Sequence, residues 1–334
     1  MKRWLAAIGL CTVVLPPLPA GAQDGAVNVA ATVGMIGDIA RTVGGTCVSV
    51  TTIMGPGVDP HLYKASARDV RTFQNADAIL YSGYSLEGQL GDVLERLARM
   101  KPTVAVAEAS IGRDELIAVQ GAYGVDPHVW MDASLWARTV PTIAGRLAEL
   151  APDCAASIDA NASTYGAQLA ALHDWVKASI ASIPEEQRVL VTAHDAFSYY
   201  GRAYGIEVAG IQGISTESEA GVADIRRMAD IVAERGVPAL FVESTINPRT
   251  IQAVIDAVRQ RGQDVAVGGQ LYSDAMGEEG SAGGTYIGMI YENTRHVVTA
   301  LGGRPAPIPD ALRSWAETWR VAAGERVPAG GSVQ

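Results

Sequence analysis

Basic residues are scarce in this chain: 26 Lys and Arg stand against 36 Asp and Glu, and no cluster of positive charge interrupts the sequence. That argues against a nucleic-acid partner, whose binding needs grouped cations to displace counterions from phosphates. Aromatics make up only 6% of the chain, and no broad apolar recognition stretch for a haem or a siderophore stands out. Cysteine is limited to Cys11, Cys47 and Cys154, none with the paired spacing of a thiolate metal site. Apolar runs long enough to cross a bilayer are missing as well. The sustained apolar stretch from Trp4 to Leu15 is too short to span; it follows Lys2 and Arg3 and precedes a Pro-rich break and Ala20-Gly21-Ala22. This is the order of a secretory peptide cleaved after Ala22, which directs the product to export. Cys11 sits behind Leu10, where lipidation would require a small residue.

With Lys2 and Arg3 removed, 24 basic residues face 36 acidic ones, a net charge of −12. A solvated acidic surface accounts for this and is compatible with a cation ligand. Export permits a Cys47–Cys154 disulfide, although spacing alone does not establish one. About 310 mature residues exceed one comfortable core, so two domains are expected.

From Ala26 the chain alternates β-branched runs with helical periods. Strands are expected at 27–32, 48–53, 78–81 and 103–106, then at 189–192, 208–211, 240–243 and 265–267. Helices include 66–75, opened by a Ser66/Asp69 capping box, and 86–100, then 197–204, 218–234, 249–261 and 286–301. Such alternation predicts an α/β fold of two lobes, each a mostly parallel four-stranded sheet flanked by helices. Between them Ile158, Tyr165, Leu169, Leu172, Val176, Ile180 and Ile183 step by threes, fours or sevens, predicting one long rigid helix over 158–183, ended by Pro184. The expected organisation is a leader at 1–22, a lobe at 23–155, a connecting helix at 156–184, a second lobe at 185–303 and a tail at 304–334. In that tail Trp315 and Trp319 predict a short helix before a disordered end from about Val327.

The chemistry sits in loops. Asp59-Pro60-His61 recurs as Asp126-Pro127-His128; His194 lies in Thr-Ala-His-Asp and Asp274 in Tyr-Ser-Asp-Ala-Met. In α/β sheets ligands gather beyond the carboxyl ends of strands, and three of these four residues follow an apolar run; only His128 lacks a clear strand before it. Proline presents each histidine of the repeat on a rigid turn. The preceding Asp either orients an imidazole or caps the turn. Three imidazoles and one carboxylate are the donors of a divalent transition metal. Asp195 poses the same choice beside His194. Glu243, which ends a strand, is the rival carboxylate and otherwise a brace. His173 and His296 lie in helices without partners, and Glu217, Glu219, Glu278 and Glu279 resemble solvated or helix-starting groups.

Taken with Met54-Gly-Pro-Gly-Val-Asp-Pro-His-Leu-Tyr-Lys64, Asp126-Pro-His-Val-Trp130, Val191-Thr-Ala-His-Asp-Ala-Phe197, Gly210-Ile-Gln-Gly-Ile-Ser-Thr-Glu-Ser-Glu219 and Leu271-Tyr-Ser-Asp-Ala-Met276, these residues resemble the cluster A-I, TroA-like periplasmic metal-binding proteins of ABC transporters. The resemblance runs to about Gly303. It implies a monomeric solute-binding protein, not an enzyme, that holds zinc, manganese or iron between the lobes through His61, His128, His194 and Asp274. It also implies delivery of the ion to a permease and its ATPase. Dedicated zinc-uptake members often carry a His-rich or acidic run near Ser110 to Val125, which this chain lacks. Manganese-selective members typically place Glu where His194 stands. A zinc-dependent hydrolase with an open metal position is the competing class; it would cast Glu243 or Asp195 as base. A stiff connecting helix limits lobe motion, so loops around His194 and Asp274 are expected to order on binding.

Overall fold

The computed structural model describes residues 25–120 and 124–321; the leader with its cleavage position and Cys11, and the end of the tail from 322, lie outside them. Among the described residues no helix is long and apolar enough to cross a membrane.

The first half runs β1 (Val27–Val33), α1 (Gly34–Gly44), β2 (Val48–Met54), α2 (Ala67–Asn75), β3 (Ala78–Tyr81), α3 (Gly91–Leu97), β4 (Thr103–Ala105) and α4 (Val106–Ser110). Its strands form one parallel sheet in the order β2-β1-β3-β4. The capping box is present: Asp69 N–H donates to Ser66 Oγ, and Ser66 N–H returns a bond to the Asp69 carboxylate. The segment expected as a helix over 86–100 instead begins with a 3-10 turn at Gly88–Leu90. Positive φ at Tyr84, Ser85 and Gly88 bends the chain there. The bend carries the Glu87 carboxylate inside, where it accepts from Thr32 Oγ1, Ser82 N–H and Gly83 N–H. Burial pushes that carboxyl up to about 6.

Next, α5 (Ala133–Trp136) and α6 (Thr139–Leu150) lead into α7 (Ala155–Ile180). This helix has the expected 26 residues, set three positions earlier than its apolar pattern suggested, and is about 39 Å long. Past Ile180 the ladder tightens, with Ser182 N–H on Ser179 O and Ile183 N–H on Ile180 O, and Arg188 donates to the following carbonyls of Ala181 and Ile183. The expected stripe from Ile158 to Ile180 is buried. A Cys47–Cys154 disulfide joins the turn before β2 to the residue preceding α7. It closes a loop of 107 residues, for which restricted unfolded-chain entropy contributes roughly 4–5 kcal/mol.

The second half comprises β5 (Val189–His194), α8 (Ser198–Tyr204), β6 (Glu207–Gln212), α9 (Val222–Arg235), β7 (Ala239–Glu243), α10 (Arg249–Arg259), β8 (Ala266–Leu271) and α11 (Tyr286–Ala300), with α12 (Arg313–Thr318) in the tail. All pairing is parallel, as expected, but ladder bonding is confined to two pairs, β5-β6 and β7-β8, rather than one four-stranded sheet. Gly268 and Gly269, just past the strand expected at 265–267, lie inside β8, where register shifts opposite Leu240 and Phe241. A Cβ at Gly268 would stand 2.5 Å from the Phe241 ring, so the irregularity needs glycine.

The apolar interior divides unevenly. One core joins the first half, α7, α8 and α11; a smaller one lies among β5, β6, β7, α9 and α10.

Candidate metal centre

Four loops or strand ends converge on one point. His61 follows β2 across the Gly55–Val58 turn, in which Gly57 takes φ 71°. His128 hangs from a short antiparallel bridge between Ala118 and Val125, the support that the sequence did not reveal. His194 is the last residue of β5, and Asp274 lies three residues past β8. All four are at most 1% exposed, and each offers a donor atom within 4.8 Å of the others.

His61 Nε2 lies 3.3 Å from His128 Nε2 and 3.8 Å from Asp274 Oδ2. His128 Nε2 is 3.4 Å from Asp274 Oδ1, and His194 Nε2 is 3.2 Å from Asp274 Oδ2. Donors at zinc bond lengths of about 2.0–2.1 Å stand about 3.3–3.4 Å apart around a tetrahedron. His194 Nε2 and both Asp274 carboxylate oxygens are buried with no hydrogen-bond partner among the described residues. Buried polar atoms without partners are costly unless something else satisfies them, and a cation on this donor set would do so.

The neighbours fix which nitrogen faces inward. Asp126 Oδ1 lies 2.7 Å from His128 Nδ1, and Glu243 Oε2 lies 2.5 Å from His194 Nδ1. A carboxylate behind Nδ1 holds the proton there and leaves the Nε2 lone pair for an ion. Glu243 also accepts from His194 N–H at 2.8 Å, so the rival carboxylate is a brace, while Asp274 faces the imidazoles. The side chain thus connects β7 to the end of β5 where no ladder does. The Asp-Pro-His repeat divides its two roles: Asp126 binds both the imidazole and the backbone N–H of His128, whereas Asp59 accepts from His61 N–H and turns its other oxygen to Thr216 Oγ1.

Electrostatics differ around the ring of donors. Burial pulls His61 down to about 3, with the neighbouring imidazoles adding to it. Burial also acts on His128, but the Asp126 and Asp274 carboxylates outweigh it and push this imidazole up to about 9. His194 is held well above its ordinary value because Glu243 and then Asp274 overcome burial. Asp274 is itself buried, yet the His194 and His128 imidazoles hold its carboxyl well below the usual range.

Other sequence candidates lie elsewhere. Asp195 accepts from Ser198 Oγ and so anchors the first turn of α8. His173 packs on Tyr204, with Asp132 3.6 Å away, and His296 Nδ1 meets Gln270 O. Glu217, Glu219, Glu278 and Glu279 are exposed. Three aromatic supports escaped the sequence reading. Trp130 Nε1 donates to Ser273 O beside Asp274; Tyr286 N–H donates to Asp38 and its hydroxyl to Trp130 O. Tyr199 Oη donates to Asp126 O and accepts from Ile117 N–H. Trp130, adjacent to the second repeat, carried a signal in its motif; the tyrosines carried none.

Residues 29–300 match the family described as zinc-uptake complex component A, periplasmic. The chain is 45% identical over 278 residues to the manganese-binding lipoprotein MntA of Bacillus subtilis, covering 83% of this chain and 90% of that protein. It is 43% identical over 280 residues to the zinc-binding protein TroA of Treponema pallidum, covering 84% and 90%. The solved structure of that periplasmic zinc-binding protein superposes with a TM-score of 0.81 over 84% of this chain and 100% of that one. The iron-binding protein YfeA of Yersinia pestis is 31% identical over 265 residues, covering 79% and 82%.

Proposed function

Because the chain belongs to the periplasmic zinc-uptake component A family, the cluster A-I metal-binding components of ABC transporters, we propose that it captures one divalent transition metal ion as cargo and hands it to a membrane permease driven by an ATPase. His61 and His128 from residues 23–155, and His194 and Asp274 from residues 185–303, serve as the ligands. The observation that carries this reading is the convergence of three imidazole nitrogens and one carboxylate, all buried and all within 4.8 Å of one another. The protein acts as a monomer in the periplasm after removal of its leader behind Ala22.

Zinc and manganese are the two cargoes the donor set favours, with iron a third; relatives named for each of the three support that range. Nitrogen-rich sites bind zinc more tightly than manganese in vitro, while supply decides what is carried in the cell. A hydrolase fits the geometry less well. It would need an open coordination position and a free base, whereas four donors complete a tetrahedron and Glu243 is engaged by His194.

Calorimetric competition between zinc and manganese tests the assignment. The native chain should take up one ion per molecule with zinc preferred, and His194→Glu should move the preference toward manganese. Unchanged zinc affinity and preference in that variant would remove His194 from the ligand set.

A further inference from the structure

The loop joining β6 to α9, residues 213–221, is exposed or half-exposed at every position but one, Thr216. Its hydroxyl reaches the first half of the chain and donates to Asp59 Oδ2 at 2.6 Å. Asp59 Oδ1 in turn accepts from His61 N–H at 2.9 Å, and Pro60 between them allows little backbone adjustment. The same loop touches the neighbour of a second donor: Asp195 N–H donates to Gly213 O. It springs from β6 and α9, which pack into the smaller core, whereas Asp59 follows β2, whose Met54 packs in the larger one. The Thr216–Asp59 bond therefore ties a loop rooted in the smaller core to the turn that presents His61, in addition to the packing that β5 and β7 already share with the larger core through Leu190 and Phe241. A buried hydroxyl in an otherwise exposed loop is costly without a partner, and here its partner is a carboxylate.

We propose that Thr216 is a positioning residue that latches the 213–221 loop to the first half of the chain, acting through Asp59 to hold the His61 turn in place. The inference rests on the metal-capture reading above and adds how release is controlled. With the latch made, His61 and the residue after His194 are held by one loop; with it broken, that loop swings with α9 and frees the His61 turn. The bond acts on the turn that presents His61 and not on an approach path to the donors, so it governs departure more than entry.

Thr216→Val keeps the side chain's shape and deletes the donor; Thr216→Ser keeps the hydroxyl. Zinc-loaded protein mixed with excess chelator in a stopped-flow instrument gives the release rate, and mixing metal-free protein with zinc gives the association rate. Thr216→Val should release zinc roughly tenfold faster, the weight of one hydrogen bond to a carboxylate, with association unchanged, and Thr216→Ser should behave as the native chain. Equal release from the native and Val forms would overturn the latch, as would association slowed by the same factor. A native chain that takes up no zinc would overturn the metal-capture reading itself, and the latch with it.

Discussion

Two identical tripeptides do different work in this molecule. Asp126-Pro127-His128 spends its carboxylate on its own histidine, gripping both the imidazole and the amide. Asp59-Pro60-His61 grips only the amide and gives its second oxygen to Thr216 from the other half of the chain. The imidazoles diverge accordingly, one pushed up to about 9 and the other down to about 3. Local sequence therefore sets the turn. The tertiary neighbours decide whether the aspartate tunes a ligand or ties two halves of the chain together.

The widest gap between the two turns should appear with pH. At pH 7 metal-free His128 holds a proton and His61 does not; Glu243 and Asp274 hold His194 above its ordinary value despite burial. An ion needs neutral imidazoles, so zinc affinity should rise with pH until about 9, by about tenfold per unit for each proton displaced. The sign for the metal-free fold is the reverse. A raised imidazole contributes stability that is complete below its ordinary 6.5 and disappears as pH climbs through about 9. Calorimetry at pH 7 in buffers of different ionisation heats should register proton release on zinc binding; none at all would contradict the protonated His128.

A carboxylate swap comes next in size. Asp126→Asn, which loses the charge behind His128 Nδ1, should weaken zinc binding by roughly 10- to 100-fold and lower the proton count. Asp59→Asn keeps an oxygen for His61 N–H and offers Thr216 Oγ1 an amide donor in place of the carboxylate acceptor, so the link persists without its charge and the variant should cost only about threefold in equilibrium affinity. Comparable losses in the two variants would erase the distinction between the turns. Smallest of all, Tyr199→Phe removes a hydroxyl that steadies Asp126 O. It should shift zinc affinity by about threefold and leave the Thr216→Val release effect intact, as a combined variant would reveal.

What sequence made legible follows the same divide between local and tertiary causes. The β-branched runs and the stripe of α7 carry their own periodicity, so eight strands and the long helix are legible in the sequence alone. The four donors were evident because histidine is rare here and two copies share a tripeptide. Strand α-to-β boundaries failed where a backbone need overrode the pattern: Gly268 and Gly269 look like a turn but sit in a strand beside the Phe241 ring. Helix α1 was obscured by three glycines, one of which, Gly37, lets the helix approach Thr52 so closely that a Cβ would be 2.5 Å from its hydroxyl. The supports from Thr216, Tyr199 and Tyr286 reach across 157, 73 and 156 residues; no spacing rule connects them to the histidines they serve.

The uneven division of the apolar interior also bears on how the polypeptide could be cut. A fragment ending at Pro184 would lose Tyr286 from beside Trp136, Tyr204 from beside His173 and Tyr291 from its stack on Trp175. Greasy surface would be laid bare along one whole flank of α7. Grafting another cargo specificity onto this scaffold would succeed more readily by exchanging the segment around α9 and α10, whose interior is its own, than by trading entire halves.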